Sequence, residues 1–140
     1  MAGTGKTFSQ EKITEALSPL FKASGLKLVL LFGSALTGGA HKRSDLDLAF
    51  LFDGPADVLG LTNSAVRLLR TDNIDVVDLR RASPLLRYSI VRTGKVLYER
   101  SPGIFNEFCS LAFRVYVDTK KLRDARAEGL GLFLKQRLRA

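Results

Sequence analysis

Residues Leu26–Asp53 read LKLVLLFGSALTGGAHKRSDLDLAFLFD. The apolar run from Leu26 to Phe32 predicts a buried strand that stops at Gly33-Ser34, a small polar turn. A glycine-containing connection then leads to a second strand carrying Asp45 and Asp47. Side chains two apart on a strand share a face, spaced about 6.5–7 Å. Asp45 and Asp47 therefore stand side by side, while Leu46, Leu48, Phe50 and Phe52 point the other way into a core. Two carboxylates on one face of an otherwise apolar strand repel each other and lose hydration. That is costly unless a cation fills the gap, and Mg²⁺ with phosphate oxygens in its shell suits hard carboxylate donors. The competing reading is an edge strand whose polar face meets water. It explains the alternation equally well, but not the Gly-Ser turn or two adjacent acids in so basic a chain.

The chain has 140 residues, enough for one domain with a sizeable core, expected to span 1–140. Lys and Arg number 22 against 14 Asp and Glu, a formal charge of +8 with a pI near 10.0. Such a balance fits nucleic acid, an acidic protein or an anionic substrate as partner, or plain solvation. One cysteine, Cys109, excludes an intramolecular disulfide and a cysteine-rich zinc site; among Phe108, Leu111 and Ala112 it reads as a small core residue. No apolar run is long enough to span a bilayer and no signal-peptide core is present, so a cytoplasmic location is expected. Residues 2–7, AGTGKT, lack the earlier glycine and the preceding strand of a phosphate-binding P-loop.

The rest of the chain punctuates itself. Phe8-Ser9 reads as a staple and N-cap for a helix that turns Ile13, Ala16, Leu17 and Leu20 inward, with Pro19 and Gly25 near its end. Asp57 to Arg70 predicts a second helix and Asn73 to Leu79 a third strand. Ser83, Pro84 and Gly94 bracket a short helix, followed by a strand at Val96 to Tyr98. From Ile104 an amphipathic helix is expected to about Arg126, interrupted by Gly129 and Gly131 before a final helical stretch. The order α-β-β-α-β-α-β-α predicts an α/β fold, a mixed β-sheet flanked by α-helices. On the third strand Asp75 and Asp78 are three apart, so they face opposite ways and only one can join the Asp pair.

Gly33-Ser34, ten intervening residues, then Asp45-Leu46-Asp47 and hydrophobic Leu48, with Gly38 inside and Ser44 before the acids, resemble the signature of the minimal nucleotidyltransferases of the polymerase β superfamily. Ile74 to Leu79, Ala82 to Tyr88 and Gly94 to Tyr98 extend the resemblance to the MntA-type antitoxins paired with HEPN-domain toxins. It covers nearly the whole chain. It implies a nucleotidyltransferase core that uses ATP and a two-metal Mg²⁺ site, with Asp45, Asp47 and Asp75 as catalytic metal ligands and Asp78 a cap or surface residue. Gly33 and Ser34 would hold the triphosphate beside Asp45 and Asp47. The family often has Ala-Arg-Gly at 36–38, where this chain has Leu36-Thr37-Gly38, leaving His41, Lys42 or Arg43 to supply positive charge.

These parts suit in-line nucleotidyl transfer, which needs no nucleophile from the protein; His41 is the only histidine, so no Ser-His-Asp or Cys-His arrangement competes. A catalytic core this short is expected to borrow its acceptor surface. The resemblance implies AMP transfer to a tyrosine of a HEPN RNase toxin in a hetero-oligomeric complex, with no membrane and no direct nucleic-acid binding. Tyr88, Tyr116 and the arginine-rich helices would face that partner, or simply pack. The alternatives are an antitoxin that acts by binding alone, and a nucleotidyltransferase for RNA ends or a small molecule.

Overall fold

The structure, a computed structural model, describes residues 9–33 and 46–139, with side-chain exposure described as far as 137. Residues 2–7 and Phe8 lie outside these, as does the segment 34–45.

Helix α1 (Gln10–Leu17) starts where Ser9 Oγ accepts a hydrogen bond from Lys12 N at 3.1 Å, a side-chain N-cap. The α-helix ends beside Pro19, at Leu17, and the chain continues as a 3₁₀ segment, Ser18–Lys22. Gly25, at φ 81°, then turns the chain into β1 (Leu26–Phe32). β2 (Leu46–Phe52) is followed by α2 (Val58–Leu69), capped by Asp57, whose Oδ1 accepts from Gly60 N at 3.0 Å. β3 (Ile74–Asp78), α3 (Pro84–Thr93, capped by Ser83), β4 (Lys95–Glu99) and α4 (Ile104–Arg139) complete the order.

The four strands form one sheet in the order β3-β2-β1-β4. β1 runs antiparallel to β2 and β4, and β2 runs parallel to β3. The acid-bearing strand is thus interior, paired on both sides, and the edge-strand reading fails. Both faces of the sheet are covered. α1 and α2 pack Ile13, Leu17, Leu61 and Ala65 onto Leu46, Leu48 and Phe50. α3 and α4 pack Ile90 and Ile104 onto Leu28, Leu30, Ala49 and Leu51. Ala49 and Leu51 alternate with the leucines and so share a face with Asp47. That face is apolar and buried for most of its length.

Two glycine readings change. Gly94 follows α3 as expected, but its φ is −74°, so no left-handed cap requires it. Close packing does: a Cβ there would lie 2.7 Å from Ile90 O and 3.6 Å from Leu31 O. Gly129 and Gly131 do not interrupt the last helix, which runs 36 residues without a break. A glycine costs a helix interior about 1 kcal/mol relative to alanine. Ala125 to Glu128, Leu130 and Leu132 are strong helix formers around them, and the helix bridges both glycines. At the far end of the sheet from Asp47, Arg100 grips Asp53 with two hydrogen bonds of 2.7 and 3.1 Å. Those bonds hold the Asp53 carboxyl below its ordinary range and the guanidinium above its own.

Two measurements check this packing. Gly94→Ala should lower stability by about 1–3 kcal/mol in a denaturant titration, since the added methyl meets backbone. Because the Asp53 carboxyl is depressed by folding, its contribution is present above the ordinary aspartate pKa and lost as pH falls through the lowered value. Arg100→Ala should return the Asp53 titration, followed by NMR, to the ordinary range, with only a slight effect on stability because both groups are exposed.

Candidate active site

Asp47 and Asp75 meet because β2 and β3 are parallel and in register: Asp47 pairs with Asp75, as Leu46 does with Ile74 and Leu48 with Val76. Paired positions on neighbouring strands, about 4.8 Å apart, send their side chains to the same face. On the other side Asp47 pairs with Phe32, at the end of β1. Asp47 is half-buried and Asp75 exposed, so the pair lies at the rim of the sheet, just beyond the apolar floor of Ala49 and Val77.

Gly33 follows Phe32 with φ 85°. A Cβ at this position would overlap Asp47 Oδ2 and lie 2.8 Å from its Cγ. The glycine was expected to let backbone approach a triphosphate; its nearest demand is the Asp47 carboxylate, which needs the space a side chain would fill. Only the strand register reveals this contact, so no sequence signal could have announced it. Ser34 and Asp45, the other members of the predicted site, lie outside the described residues, as do Gly38, His41, Lys42, Arg43 and Ser44.

Asp78 goes elsewhere. It sits at the opposite end of β3, paired with Phe50, and is 8% exposed. Its Oδ1 accepts from Arg80 N at 3.0 Å, and its carbonyl accepts from Arg81 N and Ala82 N. Arg87 closes the same corner by donating to the carbonyls of Leu79 and Arg80 at 2.9 and 2.7 Å. Of the two acids on β3, the structure brings Asp75 beside Asp47 and uses Asp78 to turn the chain into α3.

Among the described residues no three His, Cys, Asp or Glu side chains form a group. The Asp47–Asp75 pair nevertheless offers hard oxygen donors of the kind Mg²⁺ prefers, next to a backbone stripped of side chain at Gly33. Asp45 would be the third donor. The turn Arg70–Asn73 borders this end of the sheet, since Leu46 N donates to Asn73 O. Arg70 caps α2 in the left-handed region at φ 56°, unusual for a residue other than glycine or asparagine. Sequence reasoning passed over it because no glycine marks the position.

Tyr88 and Tyr116 were expected to be either partner-facing or packed. Their rings stack on each other at 3.9 Å and 14°, with Arg92 over one and Arg123 over the other. Each ring is half-buried, so the stack joins α3 to α4. Cys109 is also half-buried, and burial pushes its thiol pKa up, as a packed rather than reactive cysteine requires.

Gly33→Ala forces a left-handed alanine, a strain of about 1–2 kcal/mol, and pushes Asp47 from its place. A displacement of that size should lower nucleotide transfer about 100-fold, while the melting curve still shows folded protein at assay temperature.

Residues 11–103 match the family described as Polymerase beta, Nucleotidyltransferase. The chain is 30% identical over 133 residues to a protein adenylyltransferase MntA from Aphanizomenon flos-aquae, covering 86% of this chain and 89% of that one. Its fold superposes on a crystal structure of a toxin–antitoxin with AMP-PNP, with TM-score 0.72, 28% identity, and 88% and 98% of the two chains covered. It also superposes on a complex of a tri-AMPylated HEPN toxin with an MNT antitoxin from Shewanella oneidensis, at TM-score 0.71 and 24% identity over 87% and 98% of the chains, a likeness of fold. With the acids of β2 and β3 in register beside Gly33, these likenesses have one source: the chain belongs to the polymerase β nucleotidyltransferase family, in its MntA-type protein adenylyltransferase branch.

Proposed function

We propose that this chain is the antitoxin of a toxin–antitoxin pair, a single nucleotidyltransferase domain over 1–140 that transfers AMP from ATP to a tyrosine of a HEPN-family RNase toxin and so silences it. The observation that carries this is the Asp47–Asp75 register beside Gly33, in a chain of the protein adenylyltransferase branch. The AMP-PNP in a similar structure supports ATP as the nucleotide. Among the described residues no helix is long and apolar enough to cross a membrane. With one cysteine in the chain, this fits work in the cytoplasm, where ATP and a folded toxin meet.

In the transfer, the acceptor tyrosine oxygen attacks the α-phosphorus in line, a new O–P bond forms, and the bond to the bridging oxygen breaks to release pyrophosphate. Asp75, exposed where Asp47 is half-buried, takes the tyrosine proton on its carboxylate oxygen. Asp47, whose carboxylate occupies the space that a side chain at residue 33 would fill, orients what it binds. Backbone N–H at Gly33 and the Ser34 hydroxyl donate to β- and γ-phosphate oxygens. Mg²⁺ held by Asp45, Asp47 and Asp75 would supply electrostatic stabilisation of the charge on the attacking and leaving oxygens.

The test is transfer of labelled AMP from ATP to a purified HEPN-family toxin. Asp75→Asn should lower the rate about 10²–10⁴-fold, and Asp45→Asn with Asp47→Asn should abolish it. Asp78→Asn should leave the rate per folded molecule unchanged. Full labelling by the double variant would reject the site. An unlabelled toxin that the double variant still neutralises would show inhibition by binding alone, and labelling of tRNA or an aminoglycoside in place of the toxin would redirect the acceptor.

A further inference from the structure

α4 outlasts the rest of the fold. Ile104 and Ala112 are buried, and Phe108, Val115, Thr119 and Arg123 are largely covered, but from Asp124 to Arg137 every residue is exposed. That is a helical overhang of about 20 Å. In steps of three and four from Thr119, the face that packs in the domain continues as Leu122, Arg126, Leu130, Phe133 and Arg137. Leu122, Leu130, Phe133 and neighbouring Leu134 are each half or more exposed. A helix draws most of its stability from burying such a face, and nothing among the described residues covers this one.

We propose that this overhang is the docking arm by which the chain holds its toxin, seated in an apolar groove rimmed by carboxylates; the inference rests on the antitoxin reading above. Charge selects the occupant. Residues 120–137 carry six Lys and Arg against two acids. Two arginines interrupt the apolar stripe itself, Arg137 lying 5.2 Å from the Phe133 ring centre. A parallel second copy would set Arg126 beside Arg126, and an antiparallel copy centred on the arm would set Arg126 beside Arg137. A lipid surface would draw both guanidinium groups out to its headgroups, away from the stripe they interrupt, whereas an acidic protein groove can pair with them in place. The family match ends at residue 103, just before α4, so neither the packed half of that helix nor the arm is part of it. The match to the toxin–antitoxin structure covers 88% of the chain, more than residues up to 103 could supply, so it reaches into α4.

The experiment is calorimetric titration of full-length chain with the purified HEPN toxin. Leu130→Glu with Phe133→Glu, and separately Arg126→Glu with Arg137→Glu, should each weaken binding roughly 30-fold or more. Circular dichroism and melting should be unchanged, because these side chains are exposed in the free chain. AMP transfer by both variants should recover at saturating toxin, a KM effect with kcat retained, whereas Asp47→Asn with Asp75→Asn should bind normally and transfer nothing. Normal toxin affinity in both arm variants overturns the inference alone. So does an arm that instead mediates self-association, or binding to anionic vesicles or RNA, with toxin affinity untouched. A wild-type chain that neither binds nor modifies the toxin overturns the antitoxin reading and the arm together.

Discussion

The structure depends on one strand pairing. Asp47 and Asp75 sit at paired positions on parallel strands, whose backbones run about one strand spacing apart. What prevents their separation is the core: Leu46, Leu48, Phe50 and Ile74 anchor the two strands from one face, and Ala49, Leu51 and Val77 from the other. A one-residue slip of β3 would turn Ile74 and Val76 outward and bury Asp75. The register that assembles the acids is therefore the register that buries the leucines, and hydrophobic burial keeps the two acids on neighbouring positions.

Around that pair the fold separates its tasks by position. The Asp47 end of the sheet carries the acids and Gly33; the opposite end carries corners and clasps. Asp78 spends its carboxylate on the turn into α3, Arg87 ties off the carbonyls beside it, and Arg100 binds Asp53 across the sheet. Both Asp75 and Asp78 lie on one short strand, yet three residues of separation place them on opposite faces with different surroundings. α4 divides in the same way. Its first half is a packed element, joined to α3 through the Tyr88–Tyr116 stack, and its second half leaves the domain while keeping the same apolar periodicity. From Asp124 to Arg137 that second half is exposed, with Leu130, Phe133 and Leu134 among its uncovered side chains.

Much of this was legible in the amino acids. Alternation around Asp45 and Asp47, Ser9 and Ser83 as caps, and the spacing from Gly33-Ser34 to the acids are local signals, decided within a few residues of backbone. They carried the element order, the mixed sheet and the family. Misjudgements came where a residue's role depends on something distant. Gly129 and Gly131 looked like stops because glycine is a weak helix former, but a small local penalty does not end a helix among strong formers. Gly94 stands just past α3 as expected, and what requires it there, the carbonyl of Ile90 and the passing strand β1, is also distant in kind from any local signal.

The sequence by itself thus determined which segments are strands and helices and which family they build, because periodicity, capping and motif spacing act over short range. Only the tertiary structure decided which acid of β3 stands beside Asp47, that Gly33 makes room for a carboxylate, that the acid-bearing strand is interior, and that the last helix runs on past the domain. Those are matters of strand order, register and side-chain space between residues far apart in the chain, and no local propensity encodes them.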